Sequence, residues 1–337
     1  MLKPFIKRTL AQENLSTEEV IKAFGHIMDG EATPAQIAAL LIAMRCKGET
    51  VDELAGAATA MRKRMNPISV SRRPLVDTCG TGGSGKGKFN ISTAVAFIVS
   101  TGGVTVAKHG NKAISSKSGS ADVLAELGVN ISAEQSTVEH CVNELGIGFL
   151  FAPNCHPAMK YAAPVRREMG VRTLFNVLGP LTNPAGAPRQ LMGVFAPELT
   201  APLATVLGRL GSEYAWVIHG EDGLDEITVC GKTQVSEWDG TQVNSITVDP
   251  KTLGISIYPE DSLKGGTPAE NAAVFRELLQ GKLSGAICDA VALNSAAAFL
   301  VAGISDSLET GFAKSLEIIQ SGEAYATLEN LIRMSHS

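Results

Sequence analysis

The sequence of 337 residues lacks the features of a membrane protein, a secreted disulfide scaffold or a zinc module. Its longest apolar run, Ile37 to Met44, is far too short to span a bilayer, and no apolar segment follows the basic residues near the amino terminus. The six cysteines are scattered and include no Cys-x-x-Cys pair, so neither a metal module nor a disulfide framework is indicated. We therefore expect a soluble cytoplasmic protein whose thiols are reduced and mostly buried.

Positive charge is also scarce. The 29 Lys and Arg residues are outnumbered by 34 Asp and Glu residues, which gives a formal net charge of −5. That balance offers no general basic surface for a nucleic acid or an acidic membrane. Apolar residues make up 45% of the chain, a composition typical of globular proteins. At roughly 150 residues per domain, the length predicts two domains, or one large α/β unit with an appendage.

The first seventy residues carry only helix signals. Three predicted helices each begin with a hydroxyl cap and a Glu or Gln three positions later, the pattern of a capping box. These pairs are Ser16 with Glu19, Thr33 with Gln36, and Thr50 with Glu53. Gly30 and Gly48 stand where helices should end. We expect residues 1–70 to form a small helical domain.

From residue 73 onward, short apolar runs bounded by glycine alternate with longer helical windows. The predicted strands are 75–79, 104–107, 148–152, 191–195, 215–219 and 286–291, with a β-hairpin at 227–238. The predicted helices are 90–100, 121–127, 132–145 and 267–279. The alternation predicts an α/β domain over residues 71–337, with a mostly parallel sheet covered by helices. Residues 157–180 read as helical, and we expect this returning segment to pack against the first helical unit.

The segment from Asp77 to Thr93, DTCGTGGSGKGKFNIST, follows a predicted strand and opens a predicted helix. Its glycines let the main chain approach an oxyanion closely, and the helix N-terminus offers free N–H groups and a positive dipole end. We therefore expect a phosphate group there. The segment nearly matches a P-loop and a dinucleotide fingerprint. However, Gly87 replaces the metal-binding Ser or Thr of the former, and no acidic residue follows to bind the ribose of the latter.

Charge patterning supports an anion site. Between Asp77 and Asp122 the chain has no acidic residue, although it is acidic overall. The basic residues in this window are Lys86, Lys88, Lys108, His109, Lys112 and Lys117. Lys108 is the strongest candidate because it stands at the end of a predicted strand. Residues 108–120, KHGNKAISSKSGS, are rich in hydrogen-bond donors and favour binding of a second phosphoryl group.

An acidic segment follows the predicted strand 215–219. Residues 220–226, GEDGLDE, place four carboxylates close together, and such groups repel one another unless they are solvated or bind a cation. Hard oxygen ligands favour Mg²⁺, which usually binds one or two carboxylates together with substrate phosphates. A substrate that carries polyphosphate and magnesium would account for both the basic and the acidic segments. The alternative is an exposed acidic turn.

The returning segment contributes three arginines, Arg166, Arg167 and Arg172. Arginine binds a carboxylate in a two-pronged fork, but the residues alone do not choose among the three. No pattern pairs Cys79 with a histidine, so we expect a buried structural thiol there, and His156 receives no role.

These segments together resemble the anthranilate phosphoribosyltransferase family over nearly the whole chain. The resemblance implies transfer of a phosphoribosyl group from 5-phosphoribosyl 1-pyrophosphate (PRPP) to anthranilate, with Mg²⁺ as cofactor. It also implies a fold like that of the pyrimidine nucleoside phosphorylases, in which a small helical domain joins an α/β domain, and a homodimer formed through the helices.

The resemblance also implies site residues. The positions that match PRPP contacts are Gly80, Gly83, Ser84, Lys88, Asn90, Ile91, Ser92, Thr93, Lys108, His109, Gly110, Asn111, Ser115, Ser116 and Ser120. Those that match anthranilate contacts are Gly80, Asn111, Arg166 and Gly179, and those that match magnesium positions are Ser92, Asp225 and Glu226. Lys108 and Arg166 are the expected catalytic residues.

Two positions depart from the family pattern. Ser84 stands where many members have Asp, and Lys88 stands where Ser or Thr is usual. We expect the function to be retained, because Lys88 adds positive charge toward a strongly anionic ligand.

Two other functions fit parts of the sequence. A pyrimidine nucleoside phosphorylase-like enzyme would also need a glycine-rich phosphate loop, but free phosphate does not need the Asp225–Glu226 pair. A non-catalytic nucleic-acid-binding relative predicts a strongly basic protein, whereas the isoelectric point is about 5.8.

Overall fold

The computed structural model describes residues 1–83, 87–113 and 117–337. The chain begins with four helices: α1 Lys3–Leu10, α2 Thr17–Met28, α3 Pro34–Lys47 and α4 Val51–Arg62. Ser16 and Thr50 head complete capping boxes, and the Thr33 side chain accepts a hydrogen bond from the N–H of Gln36. The three predicted helix starts are therefore confirmed. Gly48 ends α3 with a φ of +88°, a conformation that favours glycine.

A seven-stranded sheet follows, with strand order β3-β2-β1-β4-β5-β6-β7. The strands are β1 Leu75–Gly80, β2 Thr105–Gly110, β3 Ile147–Phe151, β4 Arg189–Gly193, β5 Tyr214–Gly220, β6 Thr233–Trp238 and β7 Val243–Val248. The first five strands run parallel, and β6 and β7 add an antiparallel edge. The predicted fold class, a small helical unit joined to a mostly parallel α/β unit, is confirmed.

Eleven further helices follow the first four in the described part of the chain, and several of them cover the two faces of the sheet. They are α5 Ile91–Thr101, α6 Ser120–Leu127, α7 Gln135–Leu145, α8 Ala152–Cys155, α9 Ala163–Met169, α10 Phe175–Leu178, α11 Thr200–Arg209, α12 Pro268–Leu279, α13 Ala286–Ala302, α14 Leu308–Ser321 and α15 Glu323–Ser335. Short 3₁₀ segments lie at Pro157–Tyr161, Pro180–Thr182, Pro197–Leu199, Pro250–Leu253 and Glu260–Leu263. In the described part of the chain, no helix combines the length and the apolarity needed to cross a membrane.

The core lies on the two faces of the sheet. On one face, α5 and α13 pack over the strands, and Phe97 meets Phe275 edge-on with ring centroids 5.6 Å apart. On the other face, α11 and α4 pack together, and the guanidinium of Arg62 donates to the main-chain oxygens of Leu181 and Leu210 at 2.8 and 3.0 Å. The helical unit is thereby fixed against the α/β unit.

The returning segment packs against the first four helices. Its 3₁₀ turn at Pro157–Tyr161 contacts α2, and α9 contacts α3. Phe175 packs against Phe24 of α2, with ring centroids 5.6 Å apart. Residues of this segment therefore contact both α2 and α3.

Three sequence predictions of local structure are wrong. Residues 286–291 are the first turns of α13 and not a strand, since a short buried apolar run does not distinguish a strand from a fully buried helix. The hairpin consists of β6 and β7, joined by a turn at Gly240 with φ +98°, and lies later in the chain than residues 227–238. Helix α7 begins at Gln135 and not at residue 132: its N-cap is Glu134, and Ser132 lies in the preceding turn, where its N–H donates to Asn130 Oδ1.

The strand order positions the site. The chain moves from β1 to β2 on one side and later returns to β4 on the other, so β1 lies at a topological switch point. In open α/β sheets, ligands bind in the crevice at the carboxyl ends of the strands at such a point. Here those ends are Gly80 of β1, Gly110 of β2 and Gly193 of β4.

Candidate active site

The acidic segment lies directly against the ends of β1 and β4. A Cβ built on Gly193 would lie 1.7 Å from the main-chain oxygen of Asp225, and one built on Gly80 would lie 3.3 Å from Asp225 Oδ2. Only glycine at position 193 permits this close approach. The two sequence segments that we assigned to phosphate and metal binding are thus neighbours in space.

Glu226 extends this contact to the first turn of α5. Its Oε1 accepts a hydrogen bond from the N–H of Ser92 at 3.1 Å. Loss of solvation, together with the charge of Asp225, raises the pKa of Glu226 to about 8. Lys108 opposes this rise, and its Nζ lies 3.3 Å from Ser92 Oγ. Ser92, Lys108, Asp225 and Glu226 therefore form one cluster in which a proton, a lysine or a bound cation can balance the carboxylates.

Lys108 is held by the interior of the protein. It is 4% exposed, and its ammonium donates to the main-chain oxygen of Thr78. Burial lowers the pKa of Lys108, while the nearby carboxylate of Asp77 opposes that change. Burial in turn raises the pKa of Asp77, whose Oδ1 accepts the N–H of His109 at 3.2 Å. Asp77 thus favours the charged form of Lys108 against the effect of burial, a role that the sequence analysis did not find.

The glycine loop and the second donor segment are joined by Asn90. Its side-chain amide donates to the main-chain oxygen of Ser118 at 3.1 Å and accepts a hydrogen bond from Asn271 at 2.9 Å. The Ser120 hydroxyl lies at the start of α6 and donates to the main-chain oxygen of Asn111 at 3.3 Å. A Cβ on Gly110 would lie 2.3 Å from that hydroxyl, so Gly110, Asn111 and Ser120 are immediate neighbours.

The remaining predicted PRPP contacts have varied surroundings. Ile91 and Thr93 are buried in the first turn of α5. Lys88 forms an antiparallel bridge with Lys264, and its ammonium donates to the main-chain oxygen of Glu260, so its charge is anchored to a neighbouring segment. Ser84, Ser115 and Ser116 lie outside the described residues.

The three arginines of the returning segment have different environments. The half-buried guanidinium of Arg166 lies 5.2 Å from the ring centroid of Phe175, and burial lowers its pKa. Within the described residues, Arg166 makes no ion pair and no hydrogen bond through its side chain. Arg167 is exposed, and Arg172 donates to the main-chain oxygen of Gly83. Arg166 is therefore a partly desolvated cation available to an anionic ligand.

Gly179 brings the returning segment to the end of β2. Its main-chain oxygen lies 3.2 Å from Nδ1 of His109, the residue next to Lys108. A Cβ built on Gly179 would meet no described atom within 4 Å, and its φ of −51° is open to any residue. The fold itself therefore does not require glycine here, and the space beside Gly179 is open.

His109 also contacts His156, with the two Nε2 atoms 3.2 Å apart. Burial lowers the pKa of His109 to about 3 and that of His156 to about 4, so both rings are neutral at pH 7. Because both nitrogens of His109 have protein partners, the ring is arranged to hold the end of β2 against the returning segment. No sequence pattern linked these two histidines.

Known proteins match this chain over nearly its whole length. Residues 72–325 match the glycosyl transferase family, a/b domain, and residues 3–65 match the glycosyl transferase family, helical bundle domain. The anthranilate phosphoribosyltransferase of Moorella thermoacetica is 49% identical over 332 residues, which cover 98% of each chain. This chain belongs to the anthranilate phosphoribosyltransferase family.

Solved structures of the anthranilate phosphoribosyltransferase family have the same fold. The crystal structure of the Thermus thermophilus protein is similar with a TM-score of 0.94 and 46% identity, covering 99% of both chains. The Saccharomyces cerevisiae protein in complex with PRPP and Mg has a TM-score of 0.92 at 27% identity, covering 99% of this chain and 98% of that one. The likeness therefore extends over the helical unit, the sheet and the site.

The donor set in this member of the family fits Mg²⁺ completed by a substrate. Within the described residues, no group of three or more His, Cys, Asp or Glu side chains is arranged to hold a metal ion. Asp225 and Glu226 supply two carboxylates beside the Ser92 hydroxyl, and Glu226 lies in surroundings that favour either a proton or a cation. Mg²⁺ commonly takes one or two carboxylates and fills its other positions with water and phosphate oxygens.

Cys79 has the structural role expected from the sequence. Burial raises the pKa of its thiol well above the usual range, and Gln190 donates a hydrogen bond to Sγ at 2.9 Å. A thiol in such surroundings is a poor nucleophile. The site therefore acts through charges and hydrogen-bond donors and contains no covalent nucleophile at this position.

Proposed function

We propose that this protein transfers the 5-phosphoribosyl group from PRPP to the amine of anthranilate, giving N-(5-phosphoribosyl)anthranilate and pyrophosphate, as a step of tryptophan biosynthesis. The observation that carries the proposal is the meeting of Lys108 and Ser92 with the Asp225–Glu226 pair at the switch point of the sheet. Donors for phosphate and ligands for a divalent cation are thereby combined in one crevice, as the reaction requires.

PRPP binds at the ends of β1 and β2. Gly80 at the end of β1 and Gly83 in the loop that follows offer main chain, and Lys108 supplies a cation that the main-chain oxygen of Thr78 holds in place. The first turn of α5 adds the hydroxyls of Ser92 and Thr93 and the positive end of the helix dipole. The remaining assigned contacts are Ser84, Lys88, Asn90, Ile91, His109, Gly110, Asn111, Ser115, Ser116 and Ser120.

Ser92, Asp225 and Glu226 would hold Mg²⁺. When bound, the ion supplies positive charge that neutralises the leaving pyrophosphate. Glu226 must lose its proton to become a ligand, and Lys108 favours that loss because its positive charge stabilises the carboxylate.

The acceptor binds on the side of the returning segment. Arg166 forms a fork with the anthranilate carboxylate, and Gly80, Asn111 and Gly179 line the same space. An arylamine is mostly neutral at pH 7, so its nitrogen can attack the anomeric carbon without a general base. Arg166 acts by orienting the amine toward the sugar, a contribution of proximity and not of bond making.

We further propose that residues 1–70, with the returning segment, form a helical domain and that residues 71–337 form the PRPP-binding domain. The packing of α9 on α3 and of Phe175 on Phe24 supports this division. The same helical domain is proposed as the interface of a homodimer, because Leu10 and Ile42 expose apolar side chains there. We also propose a cytoplasmic location, since both substrates are soluble metabolites.

The assay uses the fluorescence of anthranilate. Purified protein, PRPP and Mg²⁺ should consume anthranilate and release pyrophosphate, and omission of Mg²⁺ or replacement of PRPP by ribose 5-phosphate should prevent this. As a matched variant, Asp225→Asn removes one carboxylate of the proposed Mg²⁺ site. Phosphorolysis of a pyrimidine nucleoside without loss of anthranilate would instead favour the nucleoside phosphorylase-like alternative.

A further inference from the structure

Arg172 is an arginine of the returning segment to which the proposed reaction assigns no role. It follows Gly170, which ends α9, and its guanidinium crosses to the glycine loop, where Nη2 donates to the main-chain oxygen of Gly83. The guanidinium carbon lies 4.3 Å from the ring centroid of Phe195. A planar guanidinium on an aromatic face keeps its charge while its position is fixed.

Phe195 is itself fixed to the start of the glycine loop. Its N–H donates to Thr81 Oγ1 at 3.1 Å, and the N–H of Thr81 donates to the main-chain oxygen of Gly193 at 2.9 Å. Arg172 contacts Gly83 and Phe195, and Phe195 contacts Thr81, so these contacts and the main chain through Gly82 form a closed ring. We call Thr81, Gly83, Arg172 and Phe195 the loop clasp.

The main chain inside the loop clasp needs such support. Gly82 and Gly83 have φ values of +62° and +83°, which glycine adopts readily but at a large entropy cost on ordering. A Cβ built on Gly83 would lie 3.3 Å from Arg172 Nη2, so the guanidinium lies directly against this residue. Holding the Gly83 oxygen removes other conformations of the two glycines before any ligand binds.

We propose that Arg172 is a positioning residue: it holds the main chain of Gly82 and Gly83 in the conformation that binds the phosphate groups of the activated sugar. It also ties that loop to the segment that carries Arg166. The inference rests on the proposed function for the identity of the sugar. Because Arg172 acts through Gly83, its removal changes the affinity for the sugar and leaves the affinity for the acceptor unchanged.

The test compares Arg172→Gln with Arg167→Gln. Arg167 is the matched control because it lies in the same segment, is exposed and has no side-chain hydrogen bond or ion pair among the described residues. Calorimetric titration with PRPP and Mg²⁺ should give a dissociation constant about tenfold higher for Arg172→Gln, as expected for loss of one charge-assisted hydrogen bond. Arg167→Gln should bind PRPP like the wild type, and the KM for anthranilate should be unchanged in both.

A second variant tests the loop clasp itself. Phe195→Leu removes the aromatic face and should weaken PRPP binding less than Arg172→Gln does. The loss of PRPP affinity in the double variant should be smaller than the sum of the two single losses, because both changes break the same contacts. If thermal unfolding shows that Arg172→Gln does not fold, Arg172→Lys and Phe195→Leu replace it in the comparison.

Two results would overturn the role of Arg172. One is an unchanged affinity for PRPP in the folded Arg172 variant, and the other is an effect confined to anthranilate, which would make Arg172 a ligand of the acceptor. A wild-type protein that binds PRPP but transfers nothing to anthranilate would overturn the proposed function, while the binding comparison would still decide the role of Arg172.

Discussion

The protonation state of Glu226 determines whether the Asp225–Glu226 pair can bind a cation. Burial and the neighbouring carboxylate of Asp225 raise the pKa of Glu226 to about 8, and the positive charge of Lys108 opposes that rise. In the ligand-free protein this carboxyl group is therefore mostly protonated at neutral pH. Since the folded-state pKa exceeds the unfolded value, this group stabilises the ligand-free fold at low pH, and that contribution is lost as pH rises through about 8.

The affinity for PRPP with Mg²⁺ should therefore depend on pH. Only the carboxylate form of Glu226 binds the cation, so binding releases a proton, and below a pKa of about 8 the affinity should rise with pH by up to about tenfold per unit. Calorimetry in buffers of different ionisation enthalpy measures the proton release. Glu226→Gln should abolish the release, whereas an unchanged release in that variant would assign the proton to another group.

Arg166 and Arg167 should differ in their effect on the acceptor. Arg166→Ala should raise the KM for anthranilate about tenfold or more and change the KM for PRPP far less, because a partly desolvated guanidinium without a protein partner binds the carboxylate. Arg167→Ala is the control, and steady-state kinetics with each substrate varied provides the comparison. Equal effects of Arg166→Ala on both substrates would contradict the assignment.

Sequence reasoning predicted the site residues whose charge stands out from the surrounding chain. Lys108 was predicted because it ends a strand in a window without acidic residues, and Asp225 and Glu226 because they are adjacent carboxylates. The effect of Asp77 on Lys108 and the contact of Arg172 with Gly83 were not predicted, since both arise between segments that are distant in sequence. The need for glycine at position 193 is likewise visible only when the Asp225 main chain lies against it.

At the scale of elements, helix starts were predictable because capping is local. The box recurs at α12, where the Thr267 side chain accepts the N–H of Glu270 and the Glu270 carboxylate accepts the N–H of Thr267 at 2.7 Å. The identity of residues 286–291 was not predictable in the same way, because α13 is buried on nearly all sides and has no polar face to reveal its period.

The cap of α12 also supports the site, because Asn271 in its first turn donates to Asn90. Thr267→Ala should lower the free energy of unfolding by about 1 kcal/mol, the usual cost of losing such a cap. Chemical denaturation measures the change. Thr205→Ala is the control, since Thr205 lies inside α11 and alanine favours a helix interior; an equal loss in both variants would contradict a specific effect of the cap.

At the scale of the whole molecule, the site depends on how the helical unit and the returning segment meet the sheet. The sequence predicted the return of residues 157–180 from their helical pattern but not the contacts that hold it. Those contacts include His109 at the end of β2 and His156 at the start of the segment, which are buried together. Their burial makes the stability of the molecule depend on pH.

The contribution of His109 and His156 to the free energy of unfolding should fall on acidification, opposite in sign to that of Glu226. The pKa values of His109 and His156 are about 3 and about 4, below the value of 6.5 for an exposed histidine, so the unfolded chain binds more protons. Stability from these rings is complete above pH 6.5 and is lost toward pH 4, by up to about 1.4 kcal/mol per pH unit for each ring. His156→Gln should flatten this profile, and His140→Gln, a change at an exposed position, should not. A profile equally steep in His156→Gln would show that other groups cause the loss.

The most direct test of the site as a whole is the position of the cation and the sugar. A crystal structure with PRPP and Mn²⁺ in place of Mg²⁺, with anomalous diffraction from manganese, locates both. We expect the manganese peak between the pyrophosphate and the Asp225–Glu226 pair, with the phosphate groups at the ends of β1 and β2 beside Lys108. Phosphate groups elsewhere, or a manganese peak away from both carboxylates, would contradict the account.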